Sequence, residues 1–234
     1  RQELEAKGYS FRSTSDTEVL LASYVEYGKD CLSHLNGMFS FVIFDRKRSE
    51  LFGAVDRFGK KPLYYTELPE GLEFASQISQ LSINKNYEIS NDAVKAFFKY
   101  KYIPSPLSIF KCISKLSAGS YFIYDLDQQT LCVKKYYNPY NYTNIQRINY
   151  QTAIRELDDI LHSSVELRLM ADVPIGIFLS GGIDSSLVAA VGQSQSKEQL
   201  NTFCVKFSDR KFDESKDAAA VASHIGSNHT TIEC

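Results

Sequence analysis

No run of roughly 20 apolar residues occurs in this 234-residue chain, which excludes a membrane-spanning helix. Nor does charge of one sign dominate. There are 26 basic and 28 acidic residues, the net charge is −2 and the pI is near 6.1. The basic residues are scattered, so no nucleic-acid surface is expected. The five cysteines (Cys31, Cys112, Cys132, Cys204 and Cys234) are odd in number, widely spaced and lack a C-x-x-C pair. That argues against a zinc site or a disulfide framework, and for buried reduced thiols in a cytoplasmic protein. The four histidines do not gather; His224 and His229 lie about a glycine-containing helix end and read as capping or core residues rather than metal ligands. There is no internal repeat, no low-complexity tract and no signal-peptide pattern. The chain starts with Arg1 rather than Met and is expected to be an internal piece of a longer protein.

What is present suffices for one large domain or two small ones, with 44% hydrophobic residues. Residues 16–27 read as a helix through Val19, Leu20, Ala22 and Val25, opened by a capping box of Ser15 and Glu18. Short strand-like runs follow at 38–44, 51–55, 62–65 and 72–75, separated by turn chemistry. Asn36-Gly37 reads as a turn, and Asp56-Arg57 as a turn or a structural ion pair. A short helix is expected at 91–100, with strands at 120–125 and 131–137. The polar, tyrosine-rich stretch 138–150 reads as a linker.

After it the pattern changes. Residues 152–170 read as an amphipathic helix with Ile154, Leu157, Leu161, Val165 and Leu169 on one side. Then come an apolar run at 173–179, helices at 184–197 and 214–225, and strands at 202–207 and from 229. Strands alternating with helices predict a parallel sheet.

The apolar run reads as a buried parallel strand that ends at F-L-S-G-G-I-D-S-S, residues 178–186. Ligands of open α/β sheets bind beyond the carboxyl ends of such strands. Gly181 and Gly182 permit a sharp turn with uncovered N–H groups. The helix that follows favours an anion at its N-terminus. Ser180, Ser185 and Ser186 supply hydroxyls for phosphate oxygens, and Asp184 beside phosphates implies Mg2+ between them. Neither G-x-x-x-x-G-K-[ST] nor G-x-G-x-x-G is present, so the loop is not a Walker A or dinucleotide type. The bland alternative is a glycine turn with a capped helix.

S-G-G-I-D-S-S resembles the pyrophosphate loop of the ATP pyrophosphatases. The stretch 167–186, with T-F-C-V-K-F, F-D-E-S and A-x-x-I-G-x-x-H after it, resembles the glutamine-dependent asparagine synthetase branch. Upstream, S-D-T-E-V-L-L (15–21), L-N-G-M-F-S-F-V-I-F-D (35–45), D-R-F-G-K-K-P-L-Y-Y (56–65) and F-A-S (74–76) resemble its class II glutaminase domain.

The resemblance implies an α+β part at 1–137, part of an N-terminal-nucleophile αββα sandwich, then a linker. A partial Rossmann-like ATP pyrophosphatase domain, α/β with a parallel sheet, would occupy 151–234. It implies that Asp16 holds the ammonium of glutamine, although alone Asp16 is an acid favouring a helix dipole. It implies that Leu179 and Val205 frame adenine, that Ser180 to Ser186 hold phosphates, and that Asp184 binds Mg2+. Asp213 and Glu214 read equally well as a solvated helix start.

The implied partners are glutamine, ATP and aspartate or another carboxylate acceptor, and a homodimer is compatible with them. The family's nucleophilic N-terminal cysteine and its aspartate-binding residues are expected outside this chain. Gln77 stands where the family has Glu, and Val55 where Arg is common. Two other readings stand beside aspartate amidation: amination of a sugar-linked or peptide carboxylate, and a non-catalytic ATP-binding module.

Overall fold

The computed structural model describes all residues except 84, 142–146 and 210, and the chain divides into two units, Arg1–Thr143 and Asn144–Cys234. The first unit begins with α1 (Gln2–Ala6), α2 (Asp16–Tyr27) and α3 (Cys31–His34). Its strands are β1 (Ser40–Asp45), β2 (Glu50–Val55), β3 (Tyr64–Leu68) and β4 (Gly71–Ala75). Then come α4 (Ile78–Ser82), α5 (Asn91–Tyr100), β5 (Ser114–Lys115), β6 (Ser120–Asp125) and β7 (Thr130–Lys135). They form two antiparallel sheets, ordered β1-β2-β6-β7 and β4-β3-β5.

The period-two alternation of β2 and β6 decides what each face meets. Phe52, Ala54 and Tyr121 turn to one side and pack with Tyr24 of α2 and with Cys31 and Leu32 of α3. Val55, Phe122 and Tyr124 turn to the other and pack with Leu63, Leu116 and Tyr65. A helical layer therefore covers one face of the larger sheet, and the second sheet covers the other. Gly53 pairs with Phe122 across the strands, and a Cβ on it would lie 2.3 Å from that ring. The glycine lets the ring lie flat over β2.

Ser15 does cap α2, accepting from the Thr17 N–H at 3.2 Å. Glu18 does not close a capping box. Its carboxylate accepts from the Arg12 and Ser13 N–H groups, both at 2.9 Å, while Ser15 N–H donates to the Ser13 hydroxyl. The preceding loop folds back to offer its own amides, and they win over the capping geometry. Val25 is exposed, unlike the rest of the expected apolar set.

Asp56 and Arg57 form a turn but no ion pair. The Asp56 carboxylate is 2% exposed and accepts from the N–H groups of Phe39, Phe58, Lys60 and Lys61 at 3.0–3.3 Å. Arg57 instead donates to the carbonyls of Leu35 and Ser33. With four amide donors, the acid has no oxygen left over for the guanidinium.

The second unit contains α6 (Tyr150–Leu169), β8 (Gly176–Phe178), α7 (Ile183–Gln195), β9 (Asn201–Lys206), α8 (Ser215–Ile225) and β10 (Asn228–Glu233). Its sheet is parallel, ordered β10-β9-β8. Leu179, Ala189, Cys204, Ala218 and Ala222 form the core between α7, α8 and one sheet face. The opposite face carries Phe178, Val205 and Ile232, which are 80%, 37% and 51% exposed.

The run 173–179 is thus parallel as expected, but of its residues only Leu179 is buried. Its strand is three residues long and lies at the edge of the sheet, so Val173 and Phe178 are exposed. In α6 only Val165 is buried; Ile154 and Leu157 are exposed although they share the expected apolar side. The C-terminal half of α6 meets α7, where Gln195 donates to the His162 carbonyl at 2.9 Å. The expected linker 138–150 falls partly on residues 142–146, outside the described residues; within it Pro139–Asn141 form a 3-10 turn. Of the cysteines, Cys31 and Cys204 are buried, while Cys112, Cys132 and Cys234 are exposed, and all five are free.

Candidate functional site

The carboxyl end of β8 leads straight into the glycine loop. Leu179 N–H bonds to the Phe203 carbonyl at 2.8 Å, which fixes the entry to the loop against β9. The Leu179 side chain is 1% exposed and belongs to the core, a burial worth about 2 kcal/mol. Any contact it offers a ligand therefore comes from its backbone.

Gly181 then turns with φ of +79°, and a Cβ there would lie 2.6 Å from the Cβ of Asp217 and 2.8 Å from the Ala218 nitrogen. The loop needs glycine for both its left-handed backbone and its approach to α8. Gly182 caps α7 without a side chain, and the first intrahelical bond runs from Ser186 N–H to the Gly182 carbonyl at 3.0 Å. The N–H groups of Ile183, Asp184 and Ser185 consequently have no intrahelical acceptor. They converge with the helix dipole on one spot, which suits an anion.

The hydroxyls are arranged differently from the amides. Ser180 and Ser185 bond to each other at 2.9 Å, and Ser185 also accepts from Ser180 N–H and donates to the Gly182 carbonyl, both at 3.2 Å. These bonds brace the turn. The Ser186 hydroxyl is buried without a hydrogen-bond partner and lines a groove between α7 and α8 with Ile183, Leu187, Val221 and His224.

Asp184 is exposed in the first turn of α7. At the start of α8, Asp213 accepts from Ser215 N–H at 3.1 Å, and its hydrogen bonds to the Ser215 side chain and backbone hold its carboxyl below the usual carboxylate range. Val205, on β9, pairs in register with Ile232. Sequence reasoning missed Lys206 at the end of β9, which pairs with Glu233 at 2.5 Å; only knowledge of the β9–β10 register would have joined them. His229 accepts from or donates to the Thr202 hydroxyl at 3.0 Å, a structural contact.

The fit of this rim to a nucleotide and its cation follows from its donor set. Free amides at a helix start match phosphate oxygens, and one carboxylate suffices for Mg2+, which is held largely by phosphate and water. Among the described residues no group of three or more His, Cys, Asp and Glu side chains could hold a metal by itself. No described helix is long and apolar enough to cross a membrane.

In the first unit, Asp16 opens α2 and is exposed; its carboxylate accepts from the neighbouring Thr17 hydroxyl at 3.5 Å. It is thus available to a cation from solution. Cys31 is no substitute nucleophile: burial, then the nearby Asp30, pushes its thiol up to about 11.

The model of the glutamine amidotransferase domain family matches residues 1–137, and that of the asparagine synthase family matches residues 156–234. Asparagine synthetase [glutamine-hydrolyzing] 1 of Bacillus subtilis is 37% identical over 97% of this chain and 35% of its own length. Asparagine synthetase [glutamine-hydrolyzing] 3 of the same organism is 32% identical over 89% of this chain and 34% of its own length. Amidase chyE of Penicillium rubens is 32% identical over 94% of this chain and 35% of its own length. The chain thus spans about a third of the length of these relatives. With its first 137 residues matched end to end and an asparagine synthase segment following in order, the chain belongs to the glutamine amidotransferase domain family.

Proposed function

We propose that the whole protein is a ligase that uses glutamine as nitrogen donor and ATP to amidate L-aspartate, giving L-asparagine, glutamate, AMP and pyrophosphate. A β-aspartyl-AMP intermediate would be the species that ammonia attacks. The observation that carries the reading is the glycine loop. Gly181 is locked by φ and by α8, and three helix-start amides beside an exposed Asp184 lack partners.

In this reading the first unit is part of an αββα glutaminase sandwich and the second part of a Rossmann-like pyrophosphatase. Asp16 holds the ammonium of glutamine. The amides of residues 181–185 receive phosphate oxygens, which stabilises charge on the departing pyrophosphate with donors already in place. The Ser180 and Ser185 hydroxyls exchange their mutual bond for phosphate contacts. Asp184 holds Mg2+, which screens it from the phosphates. Leu179, through its backbone, and Val205 border the adenine. A cytoplasmic location fits these small-molecule partners.

The test uses the complete enzyme. Asp184→Asn should abolish pyrophosphate formation and spare glutamine hydrolysis, and Asp16→Ala should do the reverse while free ammonia still supports synthesis. If Asp184→Asn left both activities intact, the metal assignment would be wrong.

A second, weaker reading is amination of a different carboxylate; what prompts it is that one relative of similar identity does not carry the name of an asparagine synthetase. Pyrophosphate release measured with aspartate against sugar acids and peptide carboxylates separates the two.

A further inference from the structure

We propose that a cavity in the first unit, lined by neither Asp16 nor any residue of the glycine loop, is a binding site for a phosphate monoester. Its volume is about 400 Å3, and its wall includes Lys29, Arg57, Lys135, Asp30, Tyr121 and Tyr136. Lys29 follows α2, Arg57 follows β2 and Lys135 ends β7, so three separate segments bring cations to one concavity.

None of the three cations has a carboxylate within ion-pair distance among the described residues. The acid next in sequence, Asp56, cannot neutralise Arg57, because its oxygens are occupied by four backbone amides. Arg57 is held in place by the carbonyls of Leu35 and Ser33 and lies 5.8 Å from the ring of Tyr137. Those two bonds use two of its five N–H donors and leave the rest free.

The backbone around it is equally fixed. Gly119, at φ of +62°, donates to the Asp56 carbonyl and accepts from the N–H groups of Tyr136 and Tyr137. Tyr136 in turn donates to the Val55 carbonyl at 2.9 Å. The Arg57 side of the wall is therefore built before any ligand arrives, which lowers the cost of binding there.

Three cations against the single carboxylate of Asp30 leave a charge of +2 on the wall. A phosphate monoester carries close to two negative charges near neutral pH. Its oxygens spread tetrahedrally and can accept from several directions, as donors on three segments require; a planar carboxylate cannot meet them all. The volume exceeds that of one phosphate group, so the ester's organic part has room beside the tyrosine rings.

The experiment titrates the full chain with inorganic phosphate at constant ionic strength and follows binding by calorimetry and 31P NMR. Saturable binding is expected, at least tenfold weaker in the double variant Lys29→Gln, Lys135→Gln. Both side chains are exposed and unpaired, so the fold should persist, and an unchanged melting temperature would establish that. Arg57→Lys should also weaken binding. Glycerol 3-phosphate should bind more tightly than inorganic phosphate, whereas equal affinity would mean that the site takes free phosphate and would overturn the ester. Absence of saturation, an unchanged affinity in the double variant, or equal competition by acetate would each overturn the phosphate site.

Discussion

Gly181 faces the backbone of α8 so closely that an added Cβ would sit 2.6 Å from the Cβ of Asp217. Nothing flexible is in the way: the next nearest atoms are the Ala218 nitrogen and the Asp217 carbonyl carbon, at 2.8 and 2.9 Å. Gly181→Ala should therefore move α8 or open the loop. The left-handed backbone alone adds about 1 kcal/mol of strain. Urea unfolding should show lower stability, and nucleotide binding should weaken more than global stability does. Unchanged binding would mean that the loop does not grip the nucleotide.

Asp56 offers a second test. Asp56→Ala would leave the amides of Phe39, Phe58, Lys60 and Lys61 without their acceptor in a buried position. An unfolding cost of about 3 kcal/mol or more is expected, measured by urea denaturation of the full chain. A loss under 1 kcal/mol, on the order of one neutral hydrogen bond, would show that water replaces the carboxylate.

Acid should loosen the loop before α2. Hydrogen bonds from Arg12 N–H, then from the Ser13 side chain and backbone, hold the Glu18 carboxyl down at about 2 against an ordinary 4.5. A lowered folded-state value means that the stabilisation is complete above the ordinary value and disappears as pH falls toward 2. Hydrogen exchange at the Arg12 and Ser13 amides should accelerate across that window beyond its intrinsic pH dependence. Glu18→Gln should lose this extra response; an identical profile in the variant would remove Glu18 as its source.

Thiol labelling should split the cysteines into two classes. Cys31 and Cys204 are buried, and burial raises both thiols, whereas Cys112, Cys132 and Cys234 are exposed. Iodoacetamide at mildly alkaline pH should modify those three quickly and the other two only after unfolding, as read by intact mass. Rapid loss of Cys31 would contradict its place beneath α2 and β2.

Local chemistry was legible where it was decided locally. Residues 91–100 form the expected helix because Ser90 caps it through the Ala93 N–H, and strand 120–125 lies where it was expected, on a short β-branched and aromatic run. The glycine turn could be read from the abrupt change from apolar residues to S-G-G. Tertiary choices were not readable. Glu18 sits at the right spacing for a capping box, yet it serves amides that only the folded loop presents. Phe178 looks like a core residue in a run of seven apolar-flanked positions, but its strand lies at a sheet edge. The cation cluster of Lys29, Arg57 and Lys135 was invisible because its members are dispersed over more than a hundred residues and meet only when the segment after α2 packs beside the ends of β2 and β7.

The sheet of the second unit has a practical consequence. Among the described residues β8 has a strand neighbour on one side alone, and it shows an aromatic ring to solvent. Bare backbone beside a greasy side chain is a template on which another polypeptide can lay a strand. Produced by itself, residues 144–234 should therefore clump in a concentration-dependent way, and a charged residue in place of Phe178 should keep the preparation clear.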